Sequence, residues 1–211
     1  MPSALKIYWA HKPNLLYATL FLTGLGYSFA TGALLAHWYL LPILVALVPF
    51  VEYFTHKYFL HMPRPAQSDK HRIWSFVADR AHYLHHQDPK KVQHIFAEIW
   101  VTVPAFLLDA LLVWLVTWNL EMTLVFMTLA IGYFLLYEWV HFVAHFDGYT
   151  PSSAYGRFLK KYHLWHHYKN EDYWYGITNP FADWLFGKWH DPHAVQASEL
   201  ALNNRRLRSG K

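Results

Sequence analysis

The chain reads as an all-α membrane protein: four transmembrane helices in two hairpins, with a helical cap gathered on one side of the bilayer. Three observations carry that expectation. Apolar residues make up 55% of the chain and charged residues 15%, above and below what soluble domains use. No basic residue lies between Lys12 and Lys57, or between Lys91 and Arg157, and each gap is long enough for two crossings of about 20 residues. Aromatic residues reach 19%, with 11 Trp and 15 Tyr, side chains that collect at bilayer interfaces.

The first hairpin is expected over residues 14–36 and 40–60, joined by a short turn near His37–Tyr39, with Pro42 early in the second helix. The second is expected over 96–118 and 122–145, joined by Trp118-Asn119-Leu120-Glu121. Segments 61–95 and 146–199 then form the cap, and 200–211 reads as a frayed polar tail. Residues 1–211 are read as a single integral-membrane domain. Gly24, Gly26 and Gly32 are expected to allow close helix packing.

Charge sets the orientation. All 18 Lys and Arg fall in the amino terminus, in 56–91 or in the tail from Arg157 onward, and the two connecting turns carry none. By the positive-inside rule both termini and both long segments are cytoplasmic. Topology therefore explains the net charge of +4, and no nucleic-acid partner is expected. No cleavable signal peptide is expected either, because Met1–Lys12 is followed by a stretch long enough to remain as a span. Cysteine is absent, which excludes disulfides, thiolate metal sites and cysteine nucleophiles.

Ten of the 16 histidines fall in four clusters: His56 with His61, then His82, His85 and His86, then His141 with His145, then His163, His166 and His167. An α-helix turns about 100° per residue, so positions i, i+3 and i+4 share a face. Each H-x-x-H-H triplet can therefore point its three rings into one volume, and His141 and His145 are also co-facial. His56 and His61 stand five apart, about 140° round an ideal helix. They reach one ion only if the helix end unwinds, tightens or bulges. The order of hairpin, histidine pair and histidine triplet occurs twice, and the predicted topology brings all four clusters to the cytoplasmic face.

Ten imidazoles are too many for one ion, so two metal ions with about five each are expected. Imidazole suits iron, copper, nickel and zinc; structural zinc is usually closed by four ligands, often including Cys. Carboxylates are expected to orient the rings through their other nitrogen. Asp79 (three before His82), Glu138 (three before His141) and Asp183 are the candidates, with Asp147 a weaker one.

Over roughly residues 50–190 the chain resembles the fatty acid hydroxylase superfamily. The resemblance rests on the order of the four clusters, on Tyr137-Glu138-Trp139-Val140-His141 through His145-Phe146, and on the Lys161-Tyr162-His163 triplet. His85-His86-Gln87-Asp88-Pro89 and Asn179-Pro180-Phe181-Ala182-Asp183-Trp184-Leu185-Phe186-Gly187 resemble the acyl branch and the family's closing segment. The resemblance implies a membrane-embedded oxygenase holding two metals, normally iron (zinc can substitute in purified protein), with the ten histidines as ligands. It implies O2 as co-substrate, a lipid drawn from the bilayer, and hydroxylation of a C–H bond, most simply on an acyl chain. A desaturase, or a hydroxylase of a sterol, carotenoid or alkyl lipid, is the alternative within the class. Twelve residues before the first span cannot hold the b-type cytochrome domain of some members, so a separate electron donor is expected, a cytochrome or a ferredoxin with its reductase. The bacterial inner membrane is the favoured location, with the endoplasmic reticulum as the alternative.

Two readings from other classes compete. A metal transporter needs polar sites at mid-membrane, where Asp109 alone offers one. A bis-histidine haem protein needs facing single histidines within the spans. His11, His37, His71, His94, His190 and His193 lie outside the clusters and read as surface or interface residues.

Overall fold

The computed structural model describes residues 3–62 and 82–209, and every regular element among them is helical. The elements are α1 (Ala4–Ala10), α2 (Lys12–Ala30), α3 (Ala33–Ala36), α4 (Leu40–Phe54) with a π-helical turn (Thr55–Leu60), α5 (Leu84–Gln87), α6 (Val92–Ile95), α7 (Ile99–Thr117), α8 (Leu120–His145), α9 (Ala154–Tyr168), α10 (Phe181–Leu185) and α11 (Glu199–Ser209). Internal packing divides the chain into two compact units, Met1–Leu47 with Glu98–Trp139, and Val48–Ala97 with Val140–Lys211.

Three helical stretches among the described residues are long and apolar enough to cross a membrane: Leu40–Leu60, Val92–Thr117 and Leu120–His145. The expected span at 14–36 is not one of them. Its α2 is long enough, at 19 residues, but less apolar than those three, and Gly32, at φ +75°, a left-handed turn that glycine adopts without strain, separates it from α3. The second connection is tighter than expected. Trp118, at φ 49°, ends α7, and the Asn119 side chain accepts the Met122 N–H to start α8.

In the first unit α2 packs on α8 through two glycines. A Cβ on Gly24 would sit 2.2 Å from Thr128 Oγ1, and one on Gly132 would sit 2.5 Å from the Phe21 ring. Gly24 thus behaves as expected, whereas Gly26 faces open space and Gly32 serves the turn. Tyr17 is buried between Phe106 and Phe134, and its hydroxyl bonds Thr102. A separate apolar cluster joins Ala33, Leu40 and Val125.

The second unit carries the histidines and is organised round polar anchors. Tyr53, Tyr175 and Ala182 form one apolar cluster, and Tyr162, Trp174 and Val195 another. Lys160 on α9 donates to the carbonyls of Val143, Phe146 and Tyr149, each at 2.8 Å, so one ammonium satisfies groups at the end of α8 and beyond it. As far as Ser209 the tail is helical and not frayed. Ser198 accepts the Ala201 N–H and so caps α11, and Ala201 and Asn204 are buried, with Asn204 donating to the His167 carbonyl.

Candidate metal centre

The structure brings all ten clustered histidines together in the second unit, as two groups of five. His56, His61, His82, His86 and His166 form one; His85, His141, His145, His163 and His167 form the other. Within each group the candidate ligand atoms lie within 4.8 Å of one another. Each triplet is split between the groups, which corrects the expectation that its three rings share one volume. His82 and His86 go one way and His85 the other; His163 and His167 go one way and His166 the other. Helix geometry explains the division. Residues i and i+4 differ by about 40° in direction, whereas i+3 diverges from them by about 60° and 100°.

The awkward His56–His61 spacing is accommodated by the π-helical turn. Its hydrogen bonds run from i to i+5, and the His61 N–H reaches the His56 carbonyl at 3.0 Å. Five residues then make little more than one turn, which brings both rings to the same group.

Neighbouring Nε2 atoms stand close. In the first group the separations are 3.0 Å for His56–His82, 3.0 Å for His82–His86, 3.1 Å for His86–His166 and 3.1 Å for His166–His61. In the second they are 3.0 Å for His85–His141, 3.1 Å for His85–His145 and 2.8 Å for His145–His163. Ligands at right angles round an ion, with bonds of about 2.1 Å, are √2 times that apart, roughly 3.0 Å. A tetrahedral shell with the same bonds would hold them roughly 3.4 Å apart. The spacing therefore fits an ion with five or six positions better than a closed four-ligand site.

The rings are poised as ligands. Burial, reinforced by neighbouring imidazoles, holds His61, His82, His85, His86, His163, His166 and His167 well below the usual value of 6.5, so at pH 7 they are neutral. His56 Nδ1 donates to the Tyr175 carbonyl at 2.6 Å and His166 Nδ1 to the Tyr173 carbonyl at 2.7 Å. A neutral ring that donates from Nδ1 presents its lone pair at Nε2. Those lone pairs converge on the first group's centre, an arrangement that a cation satisfies. A cavity of about 210 Å³, lined by Leu60, His61, Met62, His82, Tyr83, His86, Glu171 and Leu200, adjoins this group.

The carboxylates expected to orient the rings have varied surroundings. Asp79 lies outside the described residues. Glu138 is buried three residues before His141 on α8, within the first unit's stretch of chain, and acts electrostatically on Tyr8. Asp147 pairs with Lys90 at 2.6 Å on the surface. Asp183 is fully buried and accepts the Tyr175 N–H at 2.9 Å and the Gly176 N–H at 2.6 Å; its link to His56 runs through the Tyr175 peptide. Sequence reasoning missed Glu52. It is buried one turn before His56 and accepts from the N–H of Ile177 and Thr178 and from Thr178 Oγ1. A lone acid in the apolar run Leu40–Phe54, four residues before a clustered histidine, was the available signal. His11, His37, His94, His190 and His193 join neither group, and His71 lies outside the described residues.

An all-helical chain with long apolar helices and two five-imidazole groups defines a membrane-associated protein able to hold two metal ions. The family model described as fatty acid hydroxylase matches residues 41–188. The chain belongs to the fatty acid hydroxylase family.

Among curated relatives, a dihydroceramide fatty acyl 2-hydroxylase of Arabidopsis thaliana is 30% identical over 144 residues, covering 65% of this chain and 54% of the relative. The fatty acid 2-hydroxylase of Mus musculus is 29% identical over 140 residues, covering 65% and 36%. The ceramide very long chain fatty acid hydroxylase of Saccharomyces cerevisiae is 41% identical over 61 residues, covering 29% and 15%. The chain thus spans about half, or less, of the length of these relatives. In fold it is similar to the solved structure of full-length Scs7p, in which only the hydroxylase domain is visible: TM-score 0.73 and 23% identity over 87% of this chain and 67% of that one.

Proposed function

We propose that this protein is a membrane-bound oxygenase that hydroxylates a lipid acyl chain, and that its ten clustered histidines bind two iron ions. The observation that carries the reading is the pair of five-nitrogen groups with Nε2 separations near 3 Å, in a chain of this family. The relatives named for acyl 2-hydroxylation supply the substrate class, a fatty acyl chain of a ceramide-type lipid.

Bound iron supplies O2 activation, and the overall reaction consumes one O2, two electrons and two protons per C–H bond converted to C–OH, with one water released. The protein's part is to hold the ligands neutral, fix their direction and keep the site dry. His56 and His166, donating to backbone carbonyls, aim Nε2 inward, and burial of the rings limits water. Asp183 and Glu138 contribute as supporting carboxylates, as Asp79 does from its place three residues before His82. Electrons arrive from an external cytochrome or a ferredoxin with its reductase. The topology that goes with this reading is a single integral-membrane domain of four spans in two hairpins, with both termini and the histidine cap cytoplasmic, in a bacterial inner membrane.

The test uses purified protein in ceramide-containing vesicles, loaded with iron and supplied with reduced ferredoxin and 18O2. Mass spectrometry should find one labelled oxygen atom in an acyl chain. A dehydrogenated, unlabelled product would make the protein a desaturase, and no oxidised lipid would refute the proposal.

A further inference from the structure

We infer that Glu52 is a positioning residue for the ion held by His56, His61, His82, His86 and His166, acting through the segment 173–178, and that it has little effect on the other ion. The inference rests on the two-ion reading above. Segment 173–178 lacks regular secondary structure, and its shape is imposed on it. Trp174 is fully buried at φ 59°, a left-handed conformation that disfavours a bulky residue. A Cβ on Gly176 would lie 2.5 Å from the Asn179 carbonyl oxygen and 3.0 Å from Asp183 Oδ2, so this position admits only glycine.

Two carboxylates grip the segment. Asp183 takes the N–H groups of Tyr175 and Gly176. Glu52 Oε2 takes those of Ile177 and Thr178 at 3.0 Å each, and Oε1 takes the Thr178 hydroxyl at 2.6 Å. Four consecutive N–H groups, 175 to 178, are thus bound by two buried acids. The carbonyls of the same segment do the complementary work, since those of Tyr173 and Tyr175 accept from His166 and His56. Both rings fixed in this way belong to one five-histidine group. Displacing the segment would therefore misdirect two of that group's ligands. In the other group, His141 bonds the Ile95 backbone instead. Glu52 is also one helical turn from His56, so the acid and the ring it steadies share a face of α4 and its π-helical extension.

Glu52→Gln keeps the side chain's size but removes the charge and one of the two acceptor oxygens, so the charge-assisted bonds from the Ile177 and Thr178 N–H groups weaken and the Thr178 hydroxyl must turn to accept. Partners that orient metal-bound histidines typically contribute 10–100-fold to metal affinity. The experiment titrates the full chain in detergent with Co2+ against a competing chelator and follows the visible spectrum. Wild-type protein should release two ions. In Glu52→Gln one of them should be released at roughly 10–100-fold lower chelator concentration, and it should be the ion that His61→Ala removes. Thr178→Val, which loses only the hydroxyl bond, should weaken the same ion several-fold and so decides the matter if Glu52→Gln does not fold. Equal weakening of both ions, or no change in either, would overturn the inference. Wild-type protein that binds fewer than two ions would sink the two-ion reading itself.

Discussion

In the group of His56, His61, His82, His86 and His166, two rings donate to backbone carbonyls of a segment gripped by two buried acids. In the group of His85, His141, His145, His163 and His167, His141 bonds the Ile95 backbone. The Nδ1 atoms of the other four are buried with no hydrogen-bond partner among the described residues, against one, that of His86, in the first group. The two groups share a ligand type and differ in what fixes each ring before an ion arrives. A ring held by a carbonyl has one tautomer and one direction. A buried ring held only by packing has its tautomer chosen by the ion. Here that packing comes from other imidazoles, with His85 and His145 each 4.5–4.6 Å from His167 between ring centroids. The first group is thus preorganised by backbone at two of its rings, and the second would be ordered to a greater degree by a bound metal.

The largest expected effect comes from emptying the second group. His145 has Nε2 contacts with both His85 and His163. His145→Ala should lower metal affinity there and lipid oxidation by at least about 100-fold, above the range seen when a ligand's supporting partner is lost. Retention of both ions at wild-type affinity would break the comparison. Next is Lys160→Met, which leaves the carbonyls of Val143, Phe146 and Tyr149, just past His141 and His145, without their ammonium. A loss of about 1–3 kcal/mol is expected from hydrogen bonds to a charged group, read as a lower thermal midpoint. The second group's ion should weaken more than the first's.

A smaller effect separates the groups without mutation. Adding metal to metal-free protein should raise hydrogen-exchange protection more over 141–145 and 163–167 than over 173–178. Equal gains would argue that both groups are equally preformed. Least of all, Lys90→Met breaks an ion pair whose partners are 44% and 61% exposed. It should change stability by at most about 0.5 kcal/mol and leave both ions in place.

Much of the site was legible from spacing, because i, i+3 and i+4 arithmetic needs only the chain. It identified the triplets and singled out His56–His61 as the pair that an α-helix cannot align. The same arithmetic also contains the split of each triplet, since i+3 diverges from i and i+4, but spacing alone does not say that a second ion stands where the divergent ring points. Three of the expected spans match apolar helices. The fourth, 14–36, holds the 19-residue α2, which is long enough for a crossing but less apolar than the other three. Glu52 was hidden for a physical reason. A carboxylate in an apolar helix looks costly until its acceptors are matched to N–H donors, and those donors are 125 and 126 residues further along the chain. The tail looked frayed because its capping and burial depend on contacts such as Asn204 with His167.

The central claim is that this chain holds two ions, each in its own five-histidine group. The most direct measurement is the metal-to-chain ratio of detergent-purified protein, loaded with iron and desalted, compared with the same ratio for His61→Ala and His145→Ala. The account predicts two ions per chain in the wild type and one in each variant. A ratio of one in the wild type, or both ions lost from either single variant in folded protein, would contradict it.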